Sequence, residues 1–218
     1  MKLNLGCGNT LIPGWVNIDR KRPKNVPPGV EFRAMNLERF EWVGDSVLER
    51  FELEGDSVSE MLLSHVLEHL DSPLDLLDRL YLVAEHGCRL EVRVPHGRSD
   101  EAWEDQTHKR AYFPGSFKYF AQSTYTFGDY GYRANWLAEE MTLVAKPGSA
   151  LEASLQAGRS VYAVGRAVHA VDLDAPNQVL EIRCTLVARK DGRPLGETAL
   201  SYATLNRPDL AEPAQKGP

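Results

Sequence analysis

Through the first third of the chain, apolar residues come in runs of about four to eight that end at glycine or at an acid, the spacing of strands and not of helices. Lys2 to Leu5 breaks at the turn Gly6-Cys7-Gly8 and predicts strand one; Trp15-Val16-Asn17-Ile18 alternates, ends at Asp19 and predicts strand two. Val30 to Ala34 predicts strand three, and Ser57 to Ser64, bounded by Gly55-Asp56, strand four. At Ser72 the period changes. Ser72 suits a helix cap, Pro73 the first helical position, and Leu74, Leu77, Tyr81 and Ala84 fall on one face before Gly87 stops the run. Cys88 to Val94, closed by Pro95, predicts a buried fifth strand, so strands and helix alternate in the way that implies a parallel sheet covered by helices.

Residues 97–136 differ in character, because 11 of the 19 aromatic residues lie between Trp103 and Trp136. Two uses of that segment stay open, an aromatic lid over an acceptor and a final helix with edge strand that buries core aromatics. Leu137 to Lys146 and Val179 to Lys190 predict late strands, whereas Ser160 to Leu173 fits a strand or a helix. From Asn206 onward a proline-rich polar tail predicts disorder. The expectation is one domain over 1–205, with 97–136 as lid segment and 206–218 as tail.

Composition narrows the function classes. At 218 residues, 43% hydrophobic and 26% charged, the chain is long enough for a core of ordinary globular kind. A net charge of −6 disfavours a nucleic-acid partner, and the basic run Arg20-Lys21-Arg22-Pro23-Lys24 reads as a solvated loop. Cys7, Cys88 and Cys184 are odd in number and widely spaced, which indicates neither a disulfide framework nor a thiolate metal site. No apolar run reaches the roughly 20 residues that span a bilayer, and no signal-peptide pattern opens the chain, so a cytoplasmic protein without membrane contact is expected.

The glycine turn is where chemistry becomes readable. Glycines after a first strand let a ligand approach the backbone, but a dinucleotide fingerprint would need a third glycine at position 11, where Leu11 stands. Asp19, at the end of strand two, offers a carboxylate to the hydroxyls of a ribose. The interval from Gly8 to Asp19 is so short that the first crossover helix must be stunted or replaced by a loop.

Leu3-Asn4-Leu5-Gly6-Cys7-Gly8-Asn9, followed by Gly14-Trp15-Val16-Asn17-Ile18-Asp19, resembles the opening of small class I, Rossmann-like S-adenosylmethionine-dependent methyltransferases of the type-11 kind. The block from Gly55 to Leu70 and Val94-Pro95-His96 are similar to their fourth and fifth strand ends, and the likeness covers residues 1–125. It implies a three-layer fold with a mostly parallel seven-stranded sheet and an antiparallel last strand. It also implies that S-adenosyl-L-methionine lies on Asn4, Gly6, Cys7 and Gly8, with Asp19 on ribose, Asn36 and Leu37 at adenine, and Ser64 and His65 by the reacting centre. Asn4 and Asn36 stand where relatives carry acids, and both keep an acceptor oxygen.

His65-Val66-Leu67-Glu68-His69 spells the inverted zinc-protease signature, yet the apolar run before it reads as a strand ending near Ser64, so no metal is expected. Candidate general bases are His65, His96 and His108, which follow or lie close to strand ends and carry imidazole, a group whose unperturbed pKa lies near neutral; a structural turn remains the other reading of His65 and His69. Expected is methyl transfer to oxygen or nitrogen of a small-molecule or sugar-containing acceptor. Two rivals are a non-catalytic S-adenosylmethionine-binding partner protein and an NAD-dependent oxidoreductase.

Overall fold

The computed structural model describes residues 1–39, 41–42, 55–124, 131–156, 175–190 and 201–205, of which 41–42 and 201–205 are described by backbone alone. The segment 160–173 and the tail 206–218 lie outside the described residues. In chain order the strands are β1 (Lys2–Leu5), β2 (Val16–Asp19), β3 (Phe32–Asn36), β4 (Glu41–Trp42), β5 (Val58–Ser64), β6 (Ala84–Pro95), β7 (Trp136–Ala145), β8 (Val179–Ala188) and β9 (Ser201–Leu205). Helices are α1 (Pro73–Val83), α2 (Glu101–Glu104) and α3 (Ala150–Gln156).

All nine strands form one sheet in the order β4-β3-β2-β1-β5-β6-β8-β7-β9. The stretch β3-β2-β1-β5-β6 is parallel throughout, and β8 enters antiparallel to both β6 and β7. Those seven strands are the expected mostly parallel sheet with a reversed last strand. Two short additions extend it, β4 antiparallel to β3 and β9 parallel to β7. After β3 the chain returns to the other side of β1, so the strand order reverses between β1 and β5, where open α/β sheets form their ligand crevice.

No helix joins β1 to β2. The loop 6–15 is held instead by Asn17, wholly buried, whose Oδ1 accepts from Asn4 Nδ2 and Ile12 N, both at 2.8 Å. Its Nδ2 donates to the carbonyls of Ile12, Trp15 and Glu31. One amide thus satisfies the backbone groups that a crossover helix would have satisfied internally.

Helix α1 begins at Pro73 as the sequence predicts, but Ser72 makes no side-chain capping bond. Its buried face is Leu76, Leu77, Leu80 and Val83, rotated from the predicted Leu74, Leu77, Tyr81, Ala84 face. Leu74 and Tyr81 are only partly buried, and Ala84 already belongs to β6. The helix also stops before Gly87, which sits at φ +84° in the irregular stretch where β6 shifts register against β5. Only glycine takes that backbone without strain.

The core packs Leu3, Leu5, Ile18, Met61 and Leu63 from the parallel strands with the α1 face and with Phe117 and Trp136. Strand β6 is not the uniformly buried run expected of Cys88 to Val94. Cys88, Leu90, Val92 and Val94 are buried, while Arg89, Glu91 and Arg93 alternate with them onto a polar face. Ion pairs cross that face, Arg89 to Glu140 at 3.2 Å and Lys2 to Glu60 at 2.8 Å. Among the described residues this alternation sets one face of β6 in the core and the other in polar surroundings.

Candidate functional site

Gly6 follows β1 and His65 follows β5, so adjacent parallel strands deliver both to the point of strand-order reversal. A cavity of about 610 Å³ opens there, within the range of small-molecule sites. Its strand-end wall holds Gly6, Asp19, Met35, Asn36, Leu37, His65 and Val66; the facing wall holds Glu38, His69, Leu70, Gln106, Thr107 and Lys109. Of the residues singled out from sequence, the structure therefore brings Gly6, Asp19, Asn36, Leu37 and His65 onto one surface. Asn4, Cys7, Gly8, Ser64, His96 and His108 do not line it.

The two glycines of the turn serve different purposes. Gly6 has φ +69°, and a side chain there would collide with Val66 Cγ2, so its bareness makes room for protein and not for a ligand. Gly8 has φ +51°, and a Cβ added to it would meet no heavy atom within 4 Å. The open edge of the turn is thus at Gly8. Its N–H donates to Asp19 Oδ2 at 2.9 Å while Lys21 N–H donates to Asp19 Oδ1 at 2.9 Å, so the carboxylate is fixed at the cavity with lone pairs to spare.

Asn4 is a correction to the sequence reading. Its amide nitrogen donates to Thr10 O and Asn17 Oδ1 at 2.8 Å each, which spends it on the loop beneath the turn. Cys7 is buried, and burial together with the Asp19 charge pushes its thiol up to about 12, so it stays protonated. Asn36 Oδ1 accepts Glu38 N–H at 3.0 Å, a local turn that orients its remaining amide toward the cavity edge.

His65 takes a positive φ of +54°, uncommon for a non-glycine residue. Its Nε2 lies 2.8 Å from Glu181 Oε2 and its Nδ1 3.4 Å from Glu68 Oε1. Burial works to lower its pKa, but the hydrogen bond to Glu181 and the two carboxylate charges outweigh that and hold it at about 9. Glu181 responds in the opposite sense. Burial works to raise it, and hydrogen bonds from His65 and Arg183 bring it below the ordinary carboxylate value. An imidazolium facing a carboxylate with each nitrogen has no lone pair to offer, so a general-base role for His65 at neutral pH does not fit the geometry.

The other two base candidates stand away from the cavity. His96 is buried, its Nδ1 accepts Arg98 N–H at 3.3 Å, and its ring meets Phe113 edge-on at 5.7 Å. His108 stacks edge-on against His69 with ring centroids 4.7 Å apart, on the far side of the cavity wall. Of the two uses open for the aromatic segment, the described residues fit the core. Tyr112, Phe117, Phe120, Tyr132 and Trp136 are core, Trp103, Phe113 and Tyr119 face outward, and none lines the cavity.

What the 97–136 segment does contribute is polar, namely Gln106, Thr107 and Lys109. Lys109 Nζ reaches Glu38 Oε1 at 3.2 Å and Asp71 Oδ1 at 2.7 Å, while its backbone N–H donates to Glu68 O at 2.8 Å. Arg110 Nη2 adds bonds to the carbonyls of Leu70 and Asp71. This charged strap was missed as a wall of the site. Its sequence signal was the run Gln106-Thr107-His108-Lys109-Arg110, read only for its histidine.

No protein-family model and no curated protein matches the chain by sequence. Solved structures do match in fold. A SAM-dependent methyltransferase from Archaeoglobus fulgidus is similar with a TM-score of 0.55 at 12% identity, over 86% of this chain and 85% of that one. An S-adenosylmethionine-dependent methyltransferase from Mesorhizobium loti is similar with a TM-score of 0.50 at 13% identity, over 86% of this chain and 90% of that one. The chain has the class I, Rossmann-like methyltransferase fold.

Proposed function

We propose that this protein binds S-adenosyl-L-methionine in the cavity at the strand-order reversal and transfers its methyl group to oxygen or nitrogen of a small-molecule or sugar-containing acceptor. The observation that carries the reading is one surface holding Gly6, Asp19, Asn36, Leu37 and His65 at the carboxyl ends of β1, β2, β3 and β5. The fit to the cofactor rests on Asp19, whose carboxylate lines the cavity, is fixed by the Gly8 N–H and suits a ribose diol; Gly8 itself leaves open space at the edge of the turn. Asn36 and Leu37 would flank adenine. A dinucleotide is supported less well, because turns and no helix N-terminus follow the glycines to seat a pyrophosphate.

The bound cofactor supplies an electrophilic methyl carbon already attached to a sulfonium leaving group. What remains for the chain is to orient an acceptor and to exclude water, and positioning of this kind is worth on the order of 7 to 11 kcal/mol. Gln106, Thr107 and Lys109 give the acceptor wall donors and acceptors suited to hydroxylated molecules. His65, locked between Glu68 and Glu181, acts as a fixed cation that positions and does not take a proton. The acidic net charge of −6 supports a small acceptor over a polyanion.

Thermal denaturation with S-adenosylhomocysteine, NAD(H) or neither tests the reading directly. Stabilisation by the first alone is expected, since a ligand of the native state raises apparent stability. Stabilisation by NAD(H) instead would overturn it. Methyl transfer to a panel of sugars, phenols and amines then separates an enzyme from a silent cofactor-binding protein.

A further inference from the structure

Behind the facing wall of the cavity, Glu68, His69 and His108 bring one possible ligand atom each to within 4.8 Å of one another. We propose that these three side chains form a binding site for a divalent transition-metal ion of the zinc class, joining the turn after β5 to the loop after β6. The inference does not depend on the methyltransferase reading.

Glu68 is the first support. It is 1% exposed, and neither carboxylate oxygen accepts a hydrogen bond among the described residues. One facing imidazolium, that of His65, without any hydrogen-bond donor leaves part of the cost of burying this carboxylate in place, and a metal ion in contact with it removes the rest. The His65 ring, 3.4 Å from one oxygen, supplies charge without a well-aligned bond.

The tautomers of the two histidines are the second support. Thr107 Oγ1 donates its proton to Asp105 Oδ1 at 2.7 Å, so at 2.9 Å from His69 Nδ1 it can only accept, and the proton of that ring sits on Nδ1. His108 Nδ1 lies 3.1 Å from the carbonyl of Ala102, an acceptor only, so the same nitrogen carries the proton there. Nε2 is therefore the unprotonated nitrogen of each neutral ring; that of His108 lies 3.8 Å from Asp105 Oδ2, beyond hydrogen-bond distance. A ligating imidazole whose second nitrogen donates to a carbonyl or hydroxyl is the usual outer-shell arrangement around zinc.

Two imidazoles and a carboxylate make a borderline N/O donor set, of the three-ligand type that keeps a coordination position for water. The sequence reading set zinc aside because His65 and His69 do not share a helix, and they do not: β5 ends at Ser64 and Leu67–His69 is a single 3₁₀ turn. The site proposed here uses His69 and Glu68 of that motif and replaces His65, which Glu181 holds, with His108 from the loop after β6.

The test is calorimetric titration of chelator-stripped, full-length protein with Zn²⁺, alongside the visible absorption of the Co²⁺ form. One equivalent of zinc should bind, Co²⁺ should give the intense bands of four-coordination, and the melting temperature should rise with zinc. Thr107→Val should weaken affinity about 10- to 100-fold by freeing the His69 ring, and His108→Gln or Glu68→Gln by more. His86→Gln, an exposed histidine elsewhere, should leave binding unchanged. Zinc binding that is absent, or that is equal in folded His108→Gln and wild type, would overturn the proposal. If Glu68→Gln does not fold, His108→Gln and the Co²⁺ spectrum of the wild type decide. Affinity for S-adenosylhomocysteine, read in the same samples, reports separately on the cofactor assignment.

Discussion

The two walls of the cavity are made in different ways. The strand-end wall, with Gly6, Asp19, Asn36 and His65, is positioned by backbone: parallel register fixes where each strand stops, and the last residue of the strand or the one after it faces the crevice. The facing wall, with Glu38, His69, Gln106, Thr107 and Lys109, is positioned by side chains from segments far apart in sequence, tied by ion pairs and single hydrogen bonds. The first kind of wall is rigid and intolerant of added atoms. The second kind tolerates substitution but sets what can enter, because exposed ion pairs contribute only about 0 to 1 kcal/mol each.

If that contrast holds, the largest effect comes from adding atoms to the turn. Gly6→Ala should lower stability by about 1 to 3 kcal/mol, through positive φ and overpacking against Val66, seen as a lower midpoint in urea denaturation. Gly8→Val has open space around its Cβ, so it should pay backbone strain yet fold, and lose measurable S-adenosylhomocysteine binding by calorimetry. Unchanged affinity in folded Gly8→Val would break the assignment of the turn's open edge to the cofactor.

Next in size is Asp19→Ala, expected to cost about 1 to 3 kcal/mol of cofactor affinity by removing a charged acceptor. On the facing wall, Lys109→Met should leave the melting temperature and S-adenosylhomocysteine affinity within a few-fold of wild type while raising KM for the acceptor. A large loss of cofactor affinity in that variant would erase the distinction between the walls.

The smallest effect is in pH dependence, where the two walls meet. His65 has its pKa raised from 6.5 to about 9, so its stabilising contribution is full below pH 6.5 and fades as pH rises through about 9. Glu181 is shifted down, so its contribution is present above its ordinary value and fades as pH falls below it. In Glu181→Gln the imidazole should keep only Glu68 as a facing carboxylate, and its NMR titration midpoint should move down. A midpoint that stays near 9 would mean that Glu68 alone charges the ring.

Much of the strand-end wall was legible because it is written locally. Lys2 to Leu5, the turn at Gly6-Cys7-Gly8 and the acid closing Val16–Asp19 lie within 19 residues, and a strand followed by glycine leaves few alternatives. The replacement of the first crossover helix by a loop was legible from the same short interval. What held that loop was not: Asn17 sits in a run read only as alternating, and nothing local says that its amide is wholly buried. Likewise the α1 face came out rotated: periodicity gave Leu74, Leu77 and Tyr81, while the structure buries Leu76, Leu77 and Leu80 and leaves Tyr81 half-buried against the Trp136 ring.

By itself the sequence determined the order of β1, β2, β3, β5, α1, β6, β7 and β8, the placing of glycine and acid at the ends of the first two strands, and hence the crevice between β1 and β5, because strand periodicity and glycine conformational freedom act over a few residues. Only the tertiary structure decided which side chains are charged, bare or buried. Glu181 meets His65 across 116 positions and takes up its Nε2. Val66 fills the space at Gly6, leaving the open edge to Gly8. His108 comes to Glu68 and His69 from the next loop. Each of those depends on contact between segments that the chain brings together only once the sheet has closed, and desolvation and charge act through space and not along the sequence.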